Sequence, residues 1–314
     1  MWRLAGGVLV GWGLGSNDSA NIFGTGVAAN AIRYRTATVL IAVFVVVGAL
    51  VEGHKAMDTV GEMSRLSHTA AFIAALAAGL TVSIFSYLAL PVSTSQAIIG
   101  AVLGIGLISG IPDFTLLYKV VICWILTPVA AIIFSFILYP LLARILQKVF
   151  MGLKLRNAFL RWGLVFAGCY GAYSLGANNV ANVTGVYVGS GLLSPFEAAL
   201  LGSLGIAFGV LTYSRKVMNT VGKKIIPLDE FSAFISTLSA AITLHLFTQV
   251  GVPVSTSQAV VGGVTGVGLV KGLRTVRKRT LIQVAAGWVF TPLLCGVIAY
   301  FMMKIYLIFS GAGA

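Results

Sequence analysis

Four short motifs occur twice in the chain, in the same order, and this duplication constrains the fold more than any other feature. The pairs are Gly-Ser-Asn-Asp-Ser-Ala-Asn at 15–21 with Gly-Ala-Asn-Asn-Val-Ala-Asn at 176–182, Met-Asp-Thr-Val-Gly at 57–61 with Met-Asn-Thr-Val-Gly at 218–222, Pro-Val-Ser-Thr-Ser-Gln at 91–96 with an identical copy at 253–258, and Trp-x-x-Thr-Pro at 124–128 with 288–292. The offset stays between 161 and 164 residues. A constant offset indicates an internal repeat, and we assign 1–150 to repeat 1 and 151–314 to repeat 2.

Composition decides which solvent these repeats require. Of the 314 residues, 58% are hydrophobic and 9% are charged, whereas soluble domains carry roughly 25% charged residues. We therefore expect an all-α polytopic membrane protein with about ten membrane segments, five in each repeat. The predicted segments are 3–32, 36–53, 67–90, 92–108 and 115–140, then 162–190, 198–214, 231–251, 254–270 and 280–306.

Lys and Arg are distributed unequally between equivalent loops. The loop at 215–224 has four basic residues, but its counterpart at 54–63 has only Lys55, beside two acids. The loop at 271–279 has five, and its counterpart at 109–117 has none. Because basic loops face the cytoplasm, the two repeats are predicted to be inverted in the plasma (inner) membrane, with both termini outside. The net charge of +13 then reflects orientation beside membrane lipid and not nucleic-acid binding.

The third and fourth segments of each repeat meet at Pro91 or Pro253. Proline disfavours helix at the residue before it and suits the first turn of a helix after it. Each pair is either two full crossings or a re-entrant hairpin with Pro-Val-Ser-Thr-Ser at its tip. We favour the hairpin, because a Ser/Thr-rich break is tolerated within a membrane only where it lines a cavity.

Asp18 is the one acidic residue predicted to lie in the middle of an apolar segment. Its surroundings, 15–21, are rich in Gly, Ser and Asn, and we interpret them as a break in a helix. A carboxylate at that depth costs several kcal/mol unless it is paired or bound to a cation. Asp18, Asn side chains and freed carbonyls would suit a hard cation, although a structural helix cap is an alternative.

The repeated Ser-Thr-Ser tips offer the complementary chemistry. Each begins a predicted helix, so unpaired N–H groups and the positive end of the helix dipole point outward. Two such tips, with the hydroxyls of 93–95 and 255–257, could hold a tetrahedral oxyanion from opposite sides without arginine. A single such motif would usually be a helix cap, but its unchanged repetition favours a binding site.

Together, Gly-x-Asn-Asp-x-Ala-Asn at 15–21, its degenerate copy at 176–182 and the paired Pro-Val-Ser-Thr-Ser motifs resemble the inorganic phosphate transporter (PiT) family. The resemblance covers essentially the whole chain. It implies a homodimeric symporter that couples inorganic phosphate to a cation, usually sodium, and in which a mobile transport portion moves against a static scaffold. Some bacterial relatives of the family use protons, and some carry sulfate.

The resemblance also implies a ligand set. The phosphate ligands would be Asn17, Ser93, Thr94, Ser95, Asn178, Ser255, Thr256 and Ser257. The sodium ligands would be Asp18, Asn21, Asn179 and Asn182, together with Thr94 and Thr256. Bound sodium is a co-substrate here, and no other cofactor is implied. The chain departs from the family pattern at Asn179, where many members have a second Asp, and at Val45 and Ile206, near a glutamate of eukaryotic members.

Three alternatives follow from the same residues. A proton-coupled phosphate permease or a sulfate permease would use the same fold. An anion channel would conduct passively, and the inverted repeat with paired tips argues against it. An enzyme would need a nucleophile–base pair or a metal-ligand spacing, and the sequence offers neither.

Overall fold

The computed structural model describes residues 2–63, 66–88, 90, 92–109, 114–149, 152–224, 228–272 and 278–310, and within these ranges it contains helices and no β-strand. A 3₁₀ turn at Trp2–Leu4 precedes twelve helices. They are α1 (Ala5–Ala28), α2 (Tyr34–Glu52), α3 (His54–Glu62), α4 (His68–Tyr87), α5 (Thr94–Ser109), α6 (Phe114–Val149), α7 (Leu153–Gly189), α8 (Pro195–Tyr213), α9 (Arg215–Lys224), α10 (Glu230–Gln249), α11 (Thr256–Lys271) and α12 (Lys278–Ser310).

Each predicted segment coincides with a helix, and the all-α prediction is confirmed. Two short helices, α3 and α9, were not among the predicted segments, and α6 and α7 extend into the stretch between the predicted segments 115–140 and 162–190. Six helices of the described chain are long and apolar enough to cross a membrane: α2, α4, α6, α8, α10 and α12. At 16 residues, α5 and α11 span only about 24 Å. The count of about ten membrane segments therefore stays a prediction.

The helix break predicted at 15–21 is wrong, and the repeated stretch at 176–182 has the same structure. Both stretches lie inside continuous helices, α1 and α7. Asn residues usually interrupt a helix because their side chains hydrogen-bond to the backbone nearby. Here the Asn side chains hydrogen-bond to the hairpin tips instead, and the helices continue. Freed carbonyls at these positions are consequently not available as cation ligands.

α4 and α5 form a hairpin, as favoured from the sequence. α4 runs parallel to α1, because Gly6 faces Phe72 and Gly13 faces Val82. α5 returns in the opposite direction, since Thr81 on α4 and Ala101 on α5 both contact Cys295. The hairpin tip therefore lies beside the middle of α1 and not beyond its end. Pro91 itself lies outside the described residues.

α10 and α11 form the equivalent hairpin beside α7. Gly163 on α7 faces Phe234 on α10, and Asn178 hydrogen-bonds to Val252 at the tip, so α7 and α10 are also parallel. α11 then packs back along α10, with Gly263 against Ser236.

The equivalent helices α1 and α7 run antiparallel through the centre of the molecule. Gly11 of α1 contacts Val183 near the end of α7, and Phe23 near the end of α1 contacts Gly168. The two hairpins consequently approach the centre from opposite ends. An inverted pair of repeats requires this geometry, while the orientation of each repeat in a bilayer stays a prediction.

Glycines interlock the two repeats at equivalent positions. A Cβ on Gly15 of α1 would overlap the carbonyl oxygen of Ile206 on α8, and one on Gly176 of α7 would overlap that of Val45 on α2. Each repeat therefore packs its second helix against the first helix of the other repeat. Small residues permit this close approach of helix backbones in membranes. The sequence division at residue 150 falls between α6 and α7 but stays a prediction, because the halves are intertwined.

Candidate functional site

The two hairpin tips meet between α1 and α7. Ser95 Oγ of the first tip donates a hydrogen bond to the carbonyl of Val254 in the second tip, at 2.9 Å. Ser95 Oγ also lies 3.2 Å from Asn179 Oδ1 and accepts from Asn182 Nδ2 at 2.8 Å. Residues separated by more than 80 positions in sequence thus share one hydrogen-bond network.

Asn17 fastens the first tip to α1. Its Nδ2 donates to Leu90 O at 3.0 Å and to Ser86 Oγ at 3.1 Å, and its Oδ1 accepts from Val92 N at 3.1 Å. Because the motif Gly-x-Asn is embedded in a helix that passes beside the tip, this side chain replaces the backbone bonds that the chain loses between α4 and α5.

Asn178 fastens the second tip to α7 in the same way. Its Nδ2 donates to Val252 O at 3.0 Å, and its Oδ1 accepts from Val254 N at 2.8 Å. The predicted contact of Asn17 and Asn178 with phosphate would require these bonds to be exchanged. In the arrangement seen here both amides position the tips.

The first hydroxyl of each tip caps the following helix. Ser93 Oγ accepts from Gln96 N, and Ser255 Oγ accepts from Gln258 N, both at 3.3 Å. Ser257 Oγ lies 2.9 Å from Ser255 Oγ. These caps hold the N-termini of α5 and α11 at the centre of the molecule, where their remaining N–H groups can bind an anion.

Asp18 is the only charged side chain in this network of described residues, and it is 1% exposed. Its Oδ2 accepts from the backbone N of Thr94 at 3.2 Å and, in a very short contact, from the hydroxyl of Thr94. Its repeat equivalent, Asn179, donates from Nδ2 to Thr256 Oγ1 at 3.1 Å. Each half-site thus pairs this position with the threonine of its own tip, but only the first half-site carries a charge.

Several buried oxygens around the tips accept no hydrogen bond from the described residues. They are Asp18 Oδ1, Asn21 Oδ1, Asn182 Oδ1, Gln96 Oε1 and Gln258 Oε1. A buried acceptor without a partner costs about 1–3 kcal/mol, so such a set indicates a ligand. One carboxylate and four neutral amide oxygens are the ligand type that hard cations use.

Gln96 and Gln258 were not among the site residues predicted from the sequence. They are the last residues of the repeated hexapeptide motif, but a glutamine by itself does not indicate a particular ligand. The binding role was therefore assigned to the Ser-Thr-Ser hydroxyls of the motif. The signal that could have found them is their position three residues after the cap serines, which places each amide one helical turn from the tip.

The predicted site residues are brought together and are buried. Ser93, Thr94, Ser255 and Thr256 are each at most 1% exposed, so the site is closed to both ends of the molecule. Arginine and lysine are absent from the described hydrogen bonds of the tips. An anion bound here would be held by neutral donors and by helix N-termini, beside a carboxylate that opposes it electrostatically.

Comparison with known proteins agrees with this geometry. Residues 14–299 match a family described as the phosphate transporter family. A proposed phosphate permease of Methanocaldococcus jannaschii is 30% identical over 93% of this chain and 92% of its own length. The sulfate permease CysP of Bacillus subtilis is 27% identical over 94% of this chain and 84% of its own length. A solved structure titled "The sodium-dependent phosphate transporter" superposes with a TM-score of 0.82 at 25% identity, covering 97% of this chain and 100% of the other.

Proposed function

Because this chain belongs to the phosphate transporter family, we propose that it is a secondary active transporter that carries inorganic phosphate together with sodium by alternating access. It is a multi-pass membrane transporter and not an enzyme. The observation that carries the proposal is the set of unpartnered oxygens around Asp18, next to two helix N-termini lined by hydroxyls.

Electrostatics explains why the two substrates would travel together. A phosphate dianion near Asp18 is destabilised by the like charge in a medium of low dielectric constant. Sodium ions bound to Asp18, Asn21 and Asn182, with Gln96 and Gln258, would offset both charges. Each net positive charge moved inward gains about 2.3 kcal/mol per 100 mV, which is sufficient to drive accumulation.

The hairpins suggest how access would alternate. They reach the central site from opposite ends of the antiparallel pair α1 and α7. We propose that opening beside one hairpin exposes the site to one side of the membrane, while the other hairpin closes the opposite side. Among the described residues, the hydrogen bond from Ser95 to Val254 links the two tips directly, and such a motion would break it.

Uptake by proteoliposomes tests the proposal. Labelled phosphate should accumulate when sodium is imposed outside, and potassium at equal ionic strength should not replace it. Accumulation driven by a pH gradient without sodium would instead support the proton-coupled alternative. If the phosphate flux were the same with and without a sodium gradient or a pH gradient, the result would indicate a channel.

Sulfate is the second candidate substrate, because CysP is similar to this chain over 94% of its length. The site favours phosphate on chemical grounds. Hydrogen phosphate can donate its proton to a buried oxygen of the site that sodium leaves free, whereas sulfate has no proton to donate. A hundredfold excess of sulfate should therefore compete weakly with labelled phosphate, and strong competition would favour the sulfate permease.

We further propose a homodimer in the plasma membrane with both termini outside. The charge asymmetry of the loops supports this orientation. Labelling of single cysteines introduced at each terminus in intact cells tests it, and chemical cross-linking in native membranes tests the dimer.

A further inference from the structure

A groove of about 730 Å³ opens on the outer surface where α2 begins beside α7. Arg33, Thr36 and Arg161 line it close to the start of α2, and Leu40 and Val165 line it further along α2 and α7. This groove is separate from the central site, because none of its lining residues belongs to the described hydrogen-bond network of the hairpin tips.

A second groove of about 450 Å³ continues from the first. The two share Trp162 and Val165, and the second is lined further along by Phe44, Phe166 and Tyr173. From Arg161 to Tyr173 the α7 helix advances about 18 Å, close to the roughly 15 Å depth of one leaflet. The two grooves together form a strip that is basic at one end and apolar along the rest.

The arginines at the basic end have no ion-pair partner among the described residues. The salt bridges of the described chain involve Glu52 and Asp229, and neither reaches Arg33 or Arg161. Both guanidinium groups belong to exposed residues. Two arginines that converge on one groove without a carboxylate are available for an anionic group.

The equivalent place in the other repeat differs. The start of α8, which corresponds to the start of α2, has Ser194 and Glu197 in a capping box and no basic residue. Among the described residues, the start of α8 therefore has no counterpart of Arg33, and the groove with Arg33 and Arg161 lies at the end predicted to face the cytoplasm, where anionic lipids are concentrated.

We propose that this strip binds one anionic phospholipid, with its phosphate held by Arg33 and Arg161 and an acyl chain packed along Trp162, Phe166 and Tyr173. Charge complementarity selects the headgroup, and the length of the apolar groove fits a chain that descends through one leaflet. A bound lipid here would support the packing of α2 against α7, which carries Asn178 and Asn179 of the central site.

Native mass spectrometry of the detergent-solubilised protein tests the proposal with phosphatidylglycerol and phosphatidylcholine as probes. Arginine near a membrane surface contributes about fivefold in affinity for anionic lipid, so two contribute about 25-fold. The wild type should prefer phosphatidylglycerol by about that factor, and the variant R33Q/R161Q should lose the preference. The matched control R35Q/R156Q removes two exposed basic residues of the same end that do not line the groove, and it should keep the preference.

A second variant separates a lipid from free phosphate. Phe166→Ala should weaken binding of long-chain phosphatidylglycerol several-fold and leave dihexanoyl phosphatidylglycerol unaffected. If R35Q/R156Q lost the preference for phosphatidylglycerol as much as R33Q/R161Q, the proposal would be overturned, because the preference would then come from diffuse charge. If millimolar inorganic phosphate displaced the bound phosphatidylglycerol, the proposal would be overturned in favour of a site for free anions. A change from dimer to monomer in R33Q/R161Q, with lipid preference intact, would show that a second copy occupies the groove. Because binding is measured directly, these outcomes are independent of sodium coupling.

Discussion

Gly15→Ala is the substitution for which the structure predicts the largest effect from the smallest change. An alanine Cβ at this position would overlap the carbonyl oxygen of Ile206, and it would lie 2.8 Å from Val210 N and 2.9 Å from Gly209 Cα. Real Cβ atoms essentially never approach heavy atoms within 3.0 Å. All three neighbours are backbone atoms, so no side chain can rotate away, and α1 and α8 have to separate.

The magnitude follows from two opposing contributions. Overpacking of a close contact costs about 1–3 kcal/mol, and more when backbones must move. Replacing a helical glycine by alanine recovers up to about 1 kcal/mol of helix propensity. The steric cost exceeds the gain, so the apparent melting temperature should fall by several degrees.

Gly287→Ala is the matched control, since a Cβ on this α12 glycine would meet nothing within 4 Å. It should leave the melting temperature unchanged or raise it slightly. Gly176→Ala, the repeat equivalent of Gly15→Ala, should lower it by a similar amount through Val45. Melting curves from fluorescence-detected size-exclusion chromatography would measure all three. A Gly15→Ala protein that melts at or above the wild-type temperature would refute the close packing of α1 on α8.

Three further predictions concern the central site. Asp18→Asn should abolish sodium-dependent phosphate uptake while the protein remains monodisperse, because it removes the one charged side chain among the proposed cation ligands; normal sodium dependence would show that Asp18 is not part of the site. Ser95→Ala and Ser257→Ala should each weaken phosphate binding up to about tenfold in calorimetry, because each removes roughly one hydrogen bond. Unchanged affinity would indicate that the tips serve only as helix caps. Gln96→Met should raise the sodium concentration needed for half-maximal uptake without lowering thermal stability, since Gln96 Oε1 makes no hydrogen bond to the described residues; an unchanged sodium requirement would exclude Gln96 as a ligand.

Much of the site could be predicted from the sequence because its parts are duplicated. The recurrence of 15–21 as 176–182 and of 91–96 as 253–258 marked four segments with one shared role, and the structure joins them through Asn17, Asp18 and Ser95. The hairpins could also be anticipated, because a proline beside a hydroxyl-rich stretch ends a helix.

Other features could not be predicted, because they depend on which partner a side chain meets. Gly, Ser and Asn weaken a helix when their side chains bond to the local backbone. In α1 and α7 the Asn side chains bond instead to tips about 75 residues away, and both helices continue without a break. For the same reason, the sequence does not show that Gly15 and Gly176 have to be glycine. This requirement arises only because another helix packs against each of them.

The amino-acid sequence by itself determined that the chain is helical, that it requires lipid and that it consists of two related halves, because hydropathy, loop charge and motif spacing are properties of the chain alone. Only the tertiary structure decided that each half packs its second helix on the other, that the tips meet at Ser95 and Val254, and that two arginines share an apolar groove. These are contacts between residues up to about 190 positions apart, and no local preference of the chain encodes them.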